Sequence, residues 1–279
     1  MTVPVSKHKT RFISGVSEIA DDYDAFMIDV WGVVHDGVRL NPGSQSCLDQ
    51  MLSQNKSIVF LSNTPFRSYE LGKSLRDMGL TFPENDVTIM TAGESSWMDI
   101  QNWLGRKVFL MGQPYEGLLE GMTLTSDVTQ AHCMLTTVGG SYAGEDSIFY
   151  EAMELALPLG IPLICANPDL EVQIGENLAL CAGTYAQWYQ DRGGDVHWHG
   201  KPYQPVYAQA WKLLGKPDKS KICAIGDSLR KDMSGAKNFG IDGLWNLDGI
   251  NRDLNETQAQ SLLDEKGLCP AAMMKGFSW

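Results

Sequence analysis

Four short stretches carry residue types that could do chemistry together. Asp29 directly follows the apolar run Phe26-Met27-Ile28. Leu61 is followed by Ser62, Asn63 and Thr64, and Ile225-Gly226 by Asp227, with Asp232 five residues further on. Lys201 stands between Gly200 and Pro202. Each is weak evidence alone: an Asp after an apolar run is often a helix N-cap, and a lone Lys is usually a surface residue. An ionisable group at the end of a buried run is costly, however, unless something pairs with it. In this order the four stretches supply a carboxylate nucleophile, a small hydroxyl, a cation and a pair of metal-binding carboxylates. Phosphoryl transfer through a covalent carboxylate needs these parts. Hard oxygen ligands, with water completing the shell, suit Mg²⁺.

Strand ends are the natural place for such groups. Apolar runs at Phe26-Met27-Ile28, Ile58-Val59-Phe60-Leu61, Val108-Phe109-Leu110, Cys133-Met134-Leu135, Leu163-Ile164-Cys165 and Ile222-Cys223-Ala224-Ile225 read as buried strands. Helical patterns lie between them: Leu71, Leu75 and Met78; Phe149, Met153, Leu155 and Leu157; Val206, Ala210, Leu213 and Leu214. Strand and helix in alternation predict an α/β fold, a Rossmann-like parallel sheet with helices on both faces. Ligands bind such sheets at the carboxyl ends of the strands.

The 279 residues allow one large domain or two smaller ones, and the 43% hydrophobic and 20% charged content is that of a globular protein. A formal net charge of −12 argues against nucleic acid as a partner. It leaves room for an anionic substrate, because a bound divalent cation reverses the local sign. No stretch reaches the ~18 apolar residues of a membrane span, and no signal peptide is evident, so no membrane partner is expected and the cytoplasm is the expected compartment. The six cysteines form no CxxC pair and mostly sit in apolar runs, as reduced buried thiols would.

The order Asp29, Ser62, Lys201, Gly226-Asp227-x-x-x-x-Asp232 resembles the four motifs of the haloacid dehalogenase superfamily. Leu61-Ser62-Asn63-Thr64 resembles the second motif of the class IIA branch, which includes NagD-like and 4-nitrophenyl phosphate phosphatases. Ala166-Asn167-Pro168-Asp169 is similar to that branch's Asn-Pro-Asp element, and Ala182-Gly183-Thr184 to its small-residue turn. The likeness spans roughly residues 22–250.

The resemblance implies a Rossmann-like core at 1–89 and 199–279 with an inserted α/β cap of the C2 type at 90–198. It implies a magnesium-dependent hydrolase acting on a small phosphorylated molecule, with Asp29 as nucleophile and metal ligand. Ser62 would bind the phosphoryl group, and Lys201 would hold Asp29 and the phosphate. Asp227 and the main-chain carbonyl of Trp31 would complete the metal's protein ligands, with Asp232 supporting them. Asn63, Asn167 and Asp169 would contribute to substrate binding. Caps of this class often pack in dimers, which leaves room for a homodimer.

One position departs from the pattern. Phosphatases of this superfamily carry Asp-x-Asp, whose second Asp protonates the leaving alcohol and later deprotonates water; here that position is Trp31. Three accounts stand side by side. His35 or Asp36 could carry the proton, although Val34-His35-Asp36-Gly37 also reads as a plain surface turn. The leaving group could need no acid, as with an acyl or aryl phosphate. The protein could bind a phosphorylated ligand without turnover. Carbon–phosphorus and carbon–halogen hydrolases also lack the second Asp but rank lower. The first needs a cap lysine, for which Lys73 and Lys107 are poor candidates, and the second has no use for the Asp227/Asp232 pair. His197-Trp198-His199 places two histidines on one face of a strand, without an evident third metal ligand; a packed strand is the plainer reading. The tryptophans other than Trp31 read as core or partly buried residues.

Overall fold

The computed structural model describes residues 9–141, 146–174 and 177–279. The chain divides into two compact units, one comprising Met1–Leu61, Lys73–Ile89 and Tyr207–Trp279, the other Ser62–Gly72 and Met90–Val206.

The first unit is organised by a seven-stranded sheet. In spatial order its strands are Arg11–Ile13, Ala272–Met274, Asp242–Asn246, Ile222–Gly226, Ala25–Asp29, Ser57–Ser62 and Val87–Thr91. The paired strands whose register is resolved all run parallel. Every residue of Ala25–Asp29 and of Ile222–Gly226 is buried, as expected of central strands covered on both faces. Phe26, Met27, Ile28, Phe60, Leu244 and Trp245 fill the layers between sheet and helices. Ile28 pairs with Ile225 and Asp29 with Leu61, so the three chemistry-bearing strand ends stop at one level.

The second unit holds a five-stranded parallel sheet, ordered Val196–Trp198, Leu163–Cys165, Cys133–Thr137, Lys107–Gly112 and Thr123–Thr125. A small antiparallel sheet joins Glu171–Ile174, Asn177–Cys181 and Gly139–Ser141. The helix Ala182–Asp191 packs Tyr185, Ala186 and Tyr189 onto Met134, Met153 and Leu163. Ile100, Val108, Leu118, Leu135 and Ile164 form a separate apolar cluster in the same unit.

All six predicted strands are present. Two helix faces differ from expectation. Leu155 is 55% exposed and Leu213 44% exposed, each at the end of an otherwise buried stripe, because Ala152, Met153 and Ala156 in one helix and Val206 and Ala210 in the other already fill the inner face. The strands Asp242–Asn246, Ala272–Met274, Arg11–Ile13 and Val87–Thr91 were not anticipated; they are three to five residues long, and polar residues or a glycine shorten the apolar runs of all but Ala272–Met274. Five cysteines are buried and free, while Cys269 is free but exposed, against the expectation of burial.

Candidate active site

Asp29 is the last residue of a fully buried strand, and Asp227 directly follows another, its sheet neighbour. Asp232 lies in a π-helical turn, Leu229–Met233, which returns its side chain toward the strand end. The Ser228 hydroxyl caps that turn by accepting the Lys231 N–H at 3.2 Å. All three carboxylates are buried, and one oxygen from each lies within 4.8 Å of the others.

Backbone donors hold each carboxylate. The Val30 N–H donates to Asp29 Oδ1 at 2.7 Å, the Ile250 N–H to Asp227 Oδ2 at 3.0 Å and the Ser228 N–H to Asp232 Oδ2 at 3.0 Å. The Trp245 indole and the Asn251 amide both donate to the Asp227 carbonyl at 3.0 Å and fix its main chain. Gly32 and Gly249 enclose the Asp227 side chain so tightly that a Cβ at either would collide with its carboxylate. Three buried carboxylates at this separation repel one another unless a cation joins them. An all-oxygen donor set, with one carboxylate held in place by two closely packed glycines, fits a hard divalent ion.

The chain leaving Asp29 turns back on itself. The Gly32 N–H donates to the His35 carbonyl at 2.8 Å, and isolated bridges link Trp31 to His35 and His35 to Leu40. Trp31 is 55% exposed, and its indole nitrogen lies beside Gly37, 3.0 Å from where a Cβ there would be. His35 is buried, and its Nδ1 accepts the Gly37 N–H at 2.8 Å. Burial pushes its pKa below the usual imidazole range. Asp36 is exposed and caps its own turn, accepting the Val38 and Arg39 N–H groups at 2.9 Å each and pairing with the Arg39 guanidinium at 3.3 Å. The Arg39 and Val38 N–H groups hold its carboxyl below the usual range. Among the described residues of this turn, Asp36 is fixed as an ionised cap and His35 as a buried acceptor. That is the arrangement of a structural turn.

A second group of expected site residues assembles in the other unit. Ser62 ends its strand, and its Oγ accepts the Thr64 N–H at 3.3 Å. Asn63 Oδ1 accepts the Lys201 N–H at 2.6 Å, while its Nδ2 donates to the Lys201 carbonyl and to Asp169 Oδ1, both at 3.0 Å. Asn167 Oδ1 accepts the Asp169 N–H at 3.0 Å. Asn63, Asp169 and Lys201 are thus brought together, with Asn167 behind Asp169. Gly200 has φ +98°, and a Cβ there would stand 2.8 Å from Asn63 Oδ1, so this closure requires glycine. Lys201 and Asn63 are both buried.

Asp99 and Ser95 escaped the sequence reading. His197 and His199 both meet Asp99 Oδ2, at 2.7 and 3.2 Å, and the other nitrogen of His199 lies 2.8 Å from Ser95 Oγ. The four-residue spacing of Ser95 and Asp99 on one helix was the available signal. Trp198, between the histidines, is buried and stacks on Tyr203 at 4.6 Å.

The sequence matches the haloacid dehalogenase-like hydrolase family over residues 26–122 and the HAD-hydrolase-like family over residues 198–265, together more than half of the chain. It is 22% identical over 277 residues to phosphoglycolate phosphatase 2 of Arabidopsis thaliana, with 87% of this chain and 88% of that protein covered. A hydrolase of the haloacid dehalogenase-like family from Brucella suis 1330 superposes with a TM-score of 0.76 at 26% identity, covering 94% of this chain and 98% of that one. The glycerol phosphate phosphatase of Mycobacterium tuberculosis in complex with magnesium gives a TM-score of 0.66 at 23% identity, covering 84% and 70%. Among the described residues no helix is long and apolar enough to cross a membrane.

Proposed function

This chain belongs to the haloacid dehalogenase-like hydrolases, and from that premise we propose a phosphatase of the class IIA branch that acts on a small phosphomonoester through an aspartyl-phosphate at Asp29. The observation that carries the reading is the buried group of Asp29, Asp227 and Asp232 at adjacent strand ends. We place the core at 1–89 and 199–279 and the inserted domain at 90–198.

An Asp29 oxygen attacks phosphorus, and the bond from phosphorus to the ester oxygen breaks, the leaving group departing with the electron pair. Water then adds to phosphorus, the bond to Asp29 breaks, and the carboxylate is restored as inorganic phosphate leaves and a proton passes to solvent. The Val30 N–H on Asp29 Oδ1 orients the carboxylate for attack. Ser62 and Lys201 bind phosphoryl oxygens. Asn63 serves this step by holding the main chain of Lys201 through both of its carbonyl-side and amide-side bonds. Asn167 and Asp169 belong to the same substrate-side group.

A divalent ion, Mg²⁺ on its preference for hard oxygen donors, would be held by Asp29, Asp227 and the Trp31 carbonyl with Asp232 behind them, and would neutralise phosphoryl charge. The test is phosphate release from a panel of phosphomonoesters with Mg²⁺, beside the Asp29→Asn variant. Turnover by the wild type alone supports the reading. Trp31 in place of an acid favours a second reading, a binder of phosphorylated ligands, for which the same panel would show thermal stabilisation without released phosphate.

A further inference from the structure

We propose that Ser95 and Asp99, acting through His199, are positioning residues for Lys201. The inference rests on the reading of Lys201 as the cation that meets the phosphoryl group.

Two periodicities face each other. In the helix Ala92–Ile100, Ser95 and Asp99 are four residues apart and share a face. Across from them, His197 and His199 alternate along one face of an extended segment. The two faces meet in a closed set of hydrogen bonds: His197 Nδ1 to Asp99 Oδ2 at 2.7 Å, His199 Nε2 to the same oxygen at 3.2 Å, and His199 Nδ1 to Ser95 Oγ at 2.8 Å. The Asn102 amide donates to the other Asp99 oxygen at 3.4 Å. Burial works against the charge on Asp99, but the bonds from His197 and His199 outweigh it and hold the carboxyl below its usual range. An ionised carboxylate only accepts, so Nε2 of His199 carries a proton toward Asp99, and Nδ1 meets the Ser95 hydroxyl, a group able to donate or accept.

Both nitrogens of a buried ring are therefore held, and the imidazole cannot turn. The main-chain N–H of His199 donates to the Cys165 carbonyl at 3.1 Å, which fixes the chain beneath the ring. Next comes Gly200 at φ +98°, and then Lys201, whose N–H is taken by Asn63 at 2.6 Å. The main chain of Lys201 is pinned on one side by Asn63 and on the other, one glycine away, by His199.

Two other uses of the cluster fail on the geometry. Ser95, His199 and Asp99 follow the order of a nucleophilic triad, but Ser95 is fully buried within its helix and no substrate reaches it. A metal clip needs ligand atoms that converge on a shared point. Here the Asp99 oxygen itself lies between the two imidazoles, and among the described residues only Asp29, Asp227 and Asp232 bring three ligand atoms within 4.8 Å of one another.

The experiment uses the full chain with Mg²⁺. It measures kcat and KM for 4-nitrophenyl phosphate, the affinity for inorganic phosphate, and Tm, for the wild type, His199→Phe, His199→Gln, Ser95→Ala and Lys201→Met. A misplaced catalytic group costs on the order of 10–100-fold. His199→Phe is expected to lose that much in kcat/KM and to bind inorganic phosphate more weakly in parallel. His199→Gln, whose amide can donate to Asp99 and accept from Ser95, is expected to recover most of the loss at a similar Tm. Should His199→Phe not fold, Ser95→Ala removes one hydroxyl and is expected to show the same loss in smaller measure. Wild-type kinetics and phosphate affinity in folded His199→Phe or Ser95→Ala, with Lys201→Met inactive, would overturn the positioning role alone. A His199→Gln variant as poor as His199→Phe would do the same. Full activity in Lys201→Met would overturn the reading of Lys201 and this inference with it.

Discussion

Gly32 and Asp227 approach so closely that a methyl group added to Gly32 would occupy the space of the Asp227 carboxylate. Gly32 also adopts φ +89°, which costs residues with a Cβ roughly 1–2 kcal/mol. The substitution Gly32→Ala therefore carries two penalties, backbone strain and displacement of a carboxylate. We expect a lower Tm and a loss of metal affinity in the same variant, measured by thermal melts across a Mg²⁺ titration. An unchanged response to Mg²⁺ would show that the position of Asp227 is unimportant for the ion.

The three buried carboxylates make metal binding and stability one measurement. A ligand that binds only the folded state stabilises it by about 2.7 kcal/mol at a hundredfold excess over its Kd. Mg²⁺ is expected to raise the Tm of the wild type and leave Asp227→Asn unmoved. Without metal, Asp227→Asn should melt above the wild type, because one of three mutually repelling charges is gone. A metal-free variant that melts well below the metal-free wild type would mean that Asp227 stabilises the fold by itself.

Asp29→Asn keeps the shape of the strand end and removes the nucleophile. Turnover should vanish to the detection limit, while the circular dichroism spectrum remains that of the folded wild type. Residual activity within tenfold of the wild type would place the nucleophile elsewhere.

The candidate groups were legible in the sequence wherever a single residue ends a regular element. Asp29, Ser62 and Asp227 each follow a run whose periodicity already marks a buried strand, and the resulting register levels the three ends. What stayed hidden is long-range. Asn63 reads as a polar residue after a strand, yet its amide joins Lys201 and Asp169, 138 and 106 positions away. Asp99 reads as a polar helix position until the fold sets His197 and His199 against it. The exposure of Leu155 and Leu213 was equally out of reach, since it depends on which neighbours have already filled the inner face.

Stability should depend on pH through His197. Its hydrogen bond to Asp99, stronger in effect than its burial, raises its pKa above the ordinary 6.5. A raised folded pKa means that the folded state holds the proton more tightly. The contribution is complete below pH 6.5 and is lost as pH rises through the folded value. His197 is partly exposed, so the size should stay below about 1 kcal/mol. The stability difference between the wild type and His197→Phe, from urea melts, should be largest near pH 6 and shrink at higher pH. A difference that grows with pH would reverse the sign of this coupling.

Trp31 sets the most informative measurement. Indole can neither protonate a leaving oxygen nor deprotonate water. Asp36 is tied to the N–H groups of Val38 and Arg39, and the Nδ1 of buried His35 is occupied by the N–H of Gly37. A leaving group that departs as a stable anion needs no proton, so acetyl phosphate and 4-nitrophenyl phosphate should be hydrolysed. An alkyl phosphate must leave as a poor alkoxide and should be slower by up to the ~10²–10⁴ that general acid catalysis supplies. The exposed indole, two residues from Asp29, also offers a flat face to an aryl group. Replacing Trp31 by Asp should narrow the gap through a selective gain for alkyl phosphates. Trp31 is 55% exposed, so the substitution leaves little buried void and should cost little stability. The measurement is rate against leaving-group pKa for the wild type and Trp31→Asp. A steep wild-type line that flattens in the variant supports the account. A flat wild-type line at high rates would mean that another residue donates the proton, with the free Nε2 edge of His35 the first to examine by substitution. No turnover of any activated phosphate by either form would leave ligand binding as the function.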